Sequence, residues 1–389
     1  MKKNIFLLCA AATLMMACSQ EKTVRVTVGN PSDFDRLTEM VELPLSAVSA
    51  KITLSEGQTY VLRNDRQETV PVQITFDGKL IFQAGVKAKE TAVYTLSAGA
   101  PQTFAPKTYG RFIVERKDDF AWENDRVAFR IYGAALVSID GPSNGLDLWY
   151  KRTDKPVIDK WYRDELAGLR SYHKDYGEGQ DDYSVGRSLG GGMMAPYAGN
   201  RLWLNENFIA QELLENGPLR TTFRVTYKPV EVNGKAIDES RIFSLDAGSQ
   251  LTKVTQIYGT DEAMPVAAGI VKRDGRDAIF KEITGKVASL VYAEPESEKA
   301  GKVYVGMIFP SGLEKTAVDT YSLIHAVRGR EETHSHLLGI TTCQPGTPVT
   351  YYTGFGWSKF GFPEVDDFNR YIAHFAAALR EPLVIKTGR

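Results

Sequence analysis

The stretch richest in acid–base side chains in this 389-residue sequence runs from Tyr172 to Pro196. It places His173, Asp182, Tyr183 and Arg187 among six glycines. Fixing so many glycines costs conformational entropy, and long ordered loops tend to carry function. His173 and Tyr183 are therefore candidates for proton transfer, with Asp182 and Arg187 as candidate substrate contacts. The alternative is a surface loop with an ordinary hydrogen-bonded histidine. A dinucleotide loop is excluded, because Gly177 and Gly179 lack a glycine three further on and follow a helical pattern rather than a strand.

Trp122 to Gly133 reads as one strand on which Asn124, Arg126, Arg130 and Tyr132 share a face. Arg126 and Arg130 would then stand roughly 13 Å apart at about 3.3 Å per residue. Either could grip a carboxylate or sulfate in bidentate fashion; the alternative is a solvated strand face. Asp147, Trp149 and Lys151 likewise share a face and offer a possible sugar platform, although a lone Trp is usually core. His334 and His336, two residues apart, point the same way on a strand and could bind a metal. No third ligand stands at a diagnostic distance, so no metal is predicted. His336 enters the apolar run from Leu337 to Ile340 and is either a catalytic histidine or a core one. There is no Gly-x-Ser-x-Gly elbow. Asp181 and Asp182 are adjacent and cannot by themselves be the facing carboxylates of a glycosidase.

The elements that must position these groups are mostly strands. Val70, Val72, Ile74 and Phe76 alternate up to Asp77-Gly78, and Leu80 and Phe82 resume, a hairpin pattern with a type I′ turn. Further period-two runs centre on Phe129, on Phe223 to Tyr227 and on Val303 to Phe309. Two helices are expected, one over Ile158 to Leu169 and one over Phe368 to Leu379, the latter beginning beside Asp366 and Asp367. The expectation is a mainly β protein with a small N-terminal β-sandwich over 24–105 and a second domain over 107–389.

With 47 basic and 48 acidic residues the formal net charge is -1, so no global field gathers nucleic acid. An anionic ligand must be held by a local cation cluster. At the N-terminus a basic start, an apolar run from Ile5 to Ala17 and the Ala17-Cys18 junction resemble a bacterial lipobox. The expectation is an exported lipoprotein with a leader over 1–18 that is cut before Cys18, which then carries the lipid on a membrane surface as the first residue of the mature protein. Cys343 is then the sole remaining thiol outside the leader.

Glu123-Asn124-Asp125-Arg126-Val127-Ala128-Phe129-Arg130-Ile131-Tyr132-Gly133 is similar to the hallmark of a domain-of-unknown-function family of exported bacterial proteins. Gly145 to Arg152, Tyr172 to Gly192, His336-Leu337-Leu338 and Tyr351 to Gly361 resemble its later blocks. Leu214 to Arg220 and Phe223-Arg224-Val225 resemble galactose-mutarotase-like enzymes. The resemblance implies a β-supersandwich from about 107, without a cofactor. That family occurs in polysaccharide-degrading systems and includes the ulvan oligosaccharide dehydratase. What it implies here is elimination of water from the terminal uronic acid of an acidic oligosaccharide. Arg126 or Arg130 would neutralise the carboxylate, His173 and Tyr183 would move the protons, and His336 is the second choice. The same fold hosts binders and hydrolases, so a non-catalytic glycan-binding lipoprotein and a glycosidase stay open.

Overall fold

The computed structural model describes residues 23–283 and 285–388; the leader and Cys18 lie outside them. The protein is mainly β, and each strand pair in its sheets is antiparallel. The first unit is a sandwich. A five-stranded sheet (Val384–Gly388, Val24–Gly29, Thr91–Gly99, Thr59–Arg63, Thr69–Val70) faces a three-stranded one (Arg36–Pro44, Lys79–Val86, Gln73–Ile74). Val26, Val28, Leu62, Leu80, Phe82 and Leu96 fill the space between them and are fully buried. The edge strand Val384–Gly388 comes from the chain's C-terminus and pairs Ile385 with Val28. The sequence reading had kept 107–389 together; period two identifies a strand but not the sheet it joins.

The hairpin at Asp77-Gly78 forms with a different turn. Only Gly78 takes a positive φ, +77°, so the loop is Phe76-Asp77-Gly78 closed by the Thr75 N–H to Lys79 carbonyl bond, not type I′. The buried face is also reversed: Gln73 and Thr75 point inward while Ile74 and Phe76 are exposed. Gln73 wins the inner position because its amide bonds the main chain of Leu219 and Arg220.

Beyond residue 107, three sheets enclose one large core. The first is a meander of Thr108–Ile113, Asp119–Asn124, Ala128–Ile131, Asp147–Lys151 and Gly179–Asp181. The second has five strands, in the order Arg201–Leu202, Gly191–Ala198, Met264–Lys272, Glu331–Cys343 and Lys315–Ile324. The third has eight strands, from Ala210–Asn216 at one edge to Ala278–Glu282 at the other. Phe120 stacks on Phe223 at 3.7 Å and Trp122 packs on Phe129, Phe223 and Phe243, joining the first and third sheets.

Both expected helices are present. Ile158–Leu166 seats Ile158, Trp161 and Tyr162 against Trp149 and Tyr172. Its first N–H groups lack intrahelical acceptors, and Glu123, buried in the adjacent strand, accepts from Val157 and Ile158 at 2.9 Å. Val365–Arg380 starts with a Glu364/Asp367 capping box and packs Phe368 and Ile372 on the eight-stranded sheet. Arg36 of the first sandwich donates to the carbonyls of Ala378 and Glu381 at its end.

Candidate functional site

The meander's last strand, the segment 182–187 and the tip of the 315–343 hairpin surround a cleft of about 1010 Å³. Six arginines line it: Arg116, Arg130, Arg187, Arg273, Arg328 and Arg330. Three of the chain's five histidines, His173, His325 and His334, do so as well. Among the described residues five of these arginines hold a carboxylate and Arg187 does not, so the cleft offers an anionic ligand a small local excess of positive charge. Of the residues singled out in the sequence, the cleft unites His173, Tyr183, Asp182, Arg187 and Arg130.

His173 follows the turn after the first helix. Its Nδ1 lies 3.0 Å from the Asp181 main-chain carbonyl and 3.5 Å from the Asp181 carboxylate. A carbonyl only accepts, so Nδ1 carries the proton and the neutral ring keeps its lone pair on Nε2. The ring is 55% exposed, within reach of a ligand. Gly179 makes this placement possible: at φ +121°, a Cβ there would fall 1.9 Å from the Tyr150 carbonyl oxygen.

Asp181 belongs to a buried charge cluster. Arg130, 4% exposed, bonds Asp181 and Asp147 at 2.8 Å each, and Asp119 stands 4.0 Å away. Trp149, Tyr132 and Tyr172 close around the guanidinium at 5.0, 5.1 and 5.7 Å. Against the effect of burial, Tyr132, Asp147 and Asp181 hold Arg130 firmly charged. The carboxylates share that attraction, and for Asp181 it loses. Burial, then the Asp147 charge, raises Asp181 to about 7. Burial likewise raises Asp119 to about 6, although Arg130 and Arg116 oppose it.

Tyr183 is 6% exposed and its hydroxyl has no hydrogen-bond partner. The Arg273 guanidinium lies 4.9 Å from its ring centre, and burial outweighs that charge, pushing the phenol well above its ordinary range. Tyr183 is thus a protonated donor whose buried hydroxyl has no partner among the described residues. Asp182 pairs with Lys299 at the rim.

Four expectations are corrected. Arg126 does not share a face with Arg130. Asn124 Oδ1 accepts the N–H groups of Arg126 and Val127 at 2.8 and 2.9 Å, turning the expected single strand into two, and Arg126 is exposed on the turn. Asp147, Trp149 and Lys151 form no sugar platform, because all three are buried. Asp147 serves Arg130, Trp149 packs on Trp161, and Lys151 Nζ bonds Glu123 at 2.7 Å. Arg130 is saturated by protein carboxylates and offers no fork to a substrate. His336 is fully buried, accepts the Leu189 N–H through Nε2 at 3.1 Å and lies behind the cleft wall. Burial, then His334 and Arg273, lowers it to about 3, so it stays neutral.

Sequence reasoning missed Arg116, Arg273, His325 and His334. In the sequence His334 reads only as half of a two-histidine pair; both rings lie against Tyr321 on one face, and only their depth of burial separates them. The other three sit at element ends where no pattern marks them. No cluster of three or more metal-ligating side chains occurs among the described residues.

Residues 28–385 match the family described as domain of unknown function (DUF4861), and the chain belongs to that family. A protein of Formosa agariphila described as uncharacterized protein P7 is 29% identical over 401 residues, which cover 97% of each chain. Two solved structures from Enterococcus faecalis are similar at low identity. One is a protein in glycosyl hydrolase family 38, with 10% identity and a TM-score of 0.45; the other is an alpha-mannosidase, with 9% and 0.46. Each match covers 95% of this chain but 48% and 46% of the other, so the chain spans about half the length of these structures.

Proposed function

We propose that the protein is a carbohydrate-active lyase that eliminates water from the terminal uronic acid of acidic oligosaccharides. The observation that carries this reading is the placement of His173, its ring exposed and its Nε2 without a hydrogen bond among the described residues, in a cleft lined by arginines and by Tyr183. His173 Nε2 takes the proton on the carbon bearing the carboxylate. The C–H electron pair forms the new C=C bond as the β C–O bond breaks, and Tyr183 protonates the departing hydroxyl, which leaves as water. The enolate-like dianion formed on the way needs positive charge fixed in advance, and the arginines of the cleft provide it. Asp181 acts through His173: its main-chain carbonyl fixes the tautomer. The leader and Cys18 fit an exported lipoprotein meeting oligosaccharides at a membrane surface.

The test is incubation with a panel of acidic oligosaccharides, following the absorbance of the conjugated uronate. Turnover is expected, and His173→Ala should lower it by roughly 10²–10⁴-fold, the usual worth of a positioned general base. No absorbance change with any member, or full turnover by the variant, refutes the reading. Ligand that binds and is recovered with unchanged mass points instead to a non-catalytic glycan binder.

A further inference from the structure

One cation on the cleft wall lacks a counter-ion. The other cleft arginines, Arg116, Arg130, Arg273, Arg328 and Arg330, each hold a carboxylate. The Arg187 guanidinium instead donates to two main-chain carbonyls, of Leu204 at 2.8 Å and of Asn205, and makes no ion pair among the described residues. Burial acts against its charge, and carbonyl dipoles answer it only in part.

The preceding residue brings a second donor alongside. Gly186 has φ +58°, and a Cβ there would come within 3.2 Å of His334 Cε1. Tyr321 ties the two together: its hydroxyl donates to the Arg187 carbonyl at 2.8 Å, and its ring lies 5.7 Å from that of His334. His334 Nε2 is buried without a hydrogen-bond partner. Its nearest acid, Glu332, is 3.9 Å away and already engaged by Arg330 at 3.1 Å. Burial disfavours the His334 cation; the Glu332 carboxylate opposes this, and the charges of Arg273 and Arg187 add to it. The wall thus carries one unpaired guanidinium and, beside it, an unmade hydrogen bond among the described residues.

We propose that Arg187 and His334 form an oxyanion subsite that receives a carboxylate or sulfate substituent of the sugar chain. This rests on the reading of the cleft as a site for acidic oligosaccharides. Arg187 supplies permanent charge and its remaining N–H groups, and His334, in the tautomer protonated on Nε2, adds a second donor. The subsite selects: a neutral sugar leaves the Arg187 guanidinium uncompensated, a penalty that an anion removes.

The test is calorimetric titration of the full chain with three oligosaccharides of equal length: an unsulfated oligouronate, a sulfated neutral oligosaccharide and an unsubstituted neutral one. At least one anionic ligand should bind tenfold or more tightly than the neutral one, and which does so identifies the group. Arg187→Met should weaken that ligand by roughly 10- to 100-fold, the worth of a charge-assisted bond, with the neutral ligand unaffected. His334→Phe should do so to a smaller degree, and it decides the question alone if Arg187→Met does not fold. Equal affinity for all three ligands, or a folded variant that binds the anion as wild type does, overturns the subsite. Turnover independent of Arg187 removes the subsite alone. Anion selectivity without any elimination removes the lyase reading alone.

Discussion

Asp181→Asn tests the charge cluster behind His173. A carboxyl raised from 3.8 to about 7 by burial holds more protons in the folded protein than in the unfolded chain. Its contribution to stability is therefore fully present below pH about 4, declines as pH rises and is lost above about 7. About three pH units at ~1.4 kcal/mol each give on the order of 4 kcal/mol. Asparagine keeps an oxygen for Arg130 Nη2, now 2.8 Å from Asp181 Oδ2, and has nothing to titrate. The stability of the variant relative to wild type should rise by on the order of 4 kcal/mol between pH 4 and pH 8. Asp119, raised to about 6 beside the same guanidinium, spreads that change across the interval. Urea unfolding at four pH values measures it, with tryptophan fluorescence as the signal because Trp149 lies 5.0 Å from the Arg130 guanidinium. A stability difference constant to about 0.5 kcal/mol from pH 4 to pH 8 refutes the argument.

Tyr183→Phe removes a hydroxyl with no partner in the protein. Its melting temperature should equal or slightly exceed that of wild type, since no hydrogen bond is lost, while turnover falls roughly 10²-fold or more; unchanged turnover removes Tyr183 from the chemistry. Lys151→Ala leaves Glu123 buried without its cation, 2.7 Å from Nζ in wild type, and should destabilise the protein by about 3–5 kcal/mol in urea unfolding. The two N–H groups that Glu123 accepts from the first helix favour the low end of that range, and a loss under about 1 kcal/mol contradicts the buried pair.

The sequence by itself determined that the chain is mainly β, where its two main helices lie, and that the segment around His173 and Tyr183 carries the acid–base types. Those features are local. Period two, helical spacing and residue chemistry are written along the chain and need no partner to be read. Which face meets a cavity is not local. Arg126 and Arg130 alternate correctly for a shared face, yet the Asn124 side chain turns the backbone between them. His334 and His336 stand on one strand, yet packing against Leu189 hides one behind the wall and leaves the other at the cleft. Asp147, Trp149 and Lys151 look like a ligand surface because a fully buried charged strand has the same alternation as an exposed one. Only the folded chain brings Arg273 to Tyr183 and His334 to Gly186, pairs 90 and 148 positions apart. Such a contact leaves no periodic mark on either partner, because it is made by the packing of separate sheets around the core.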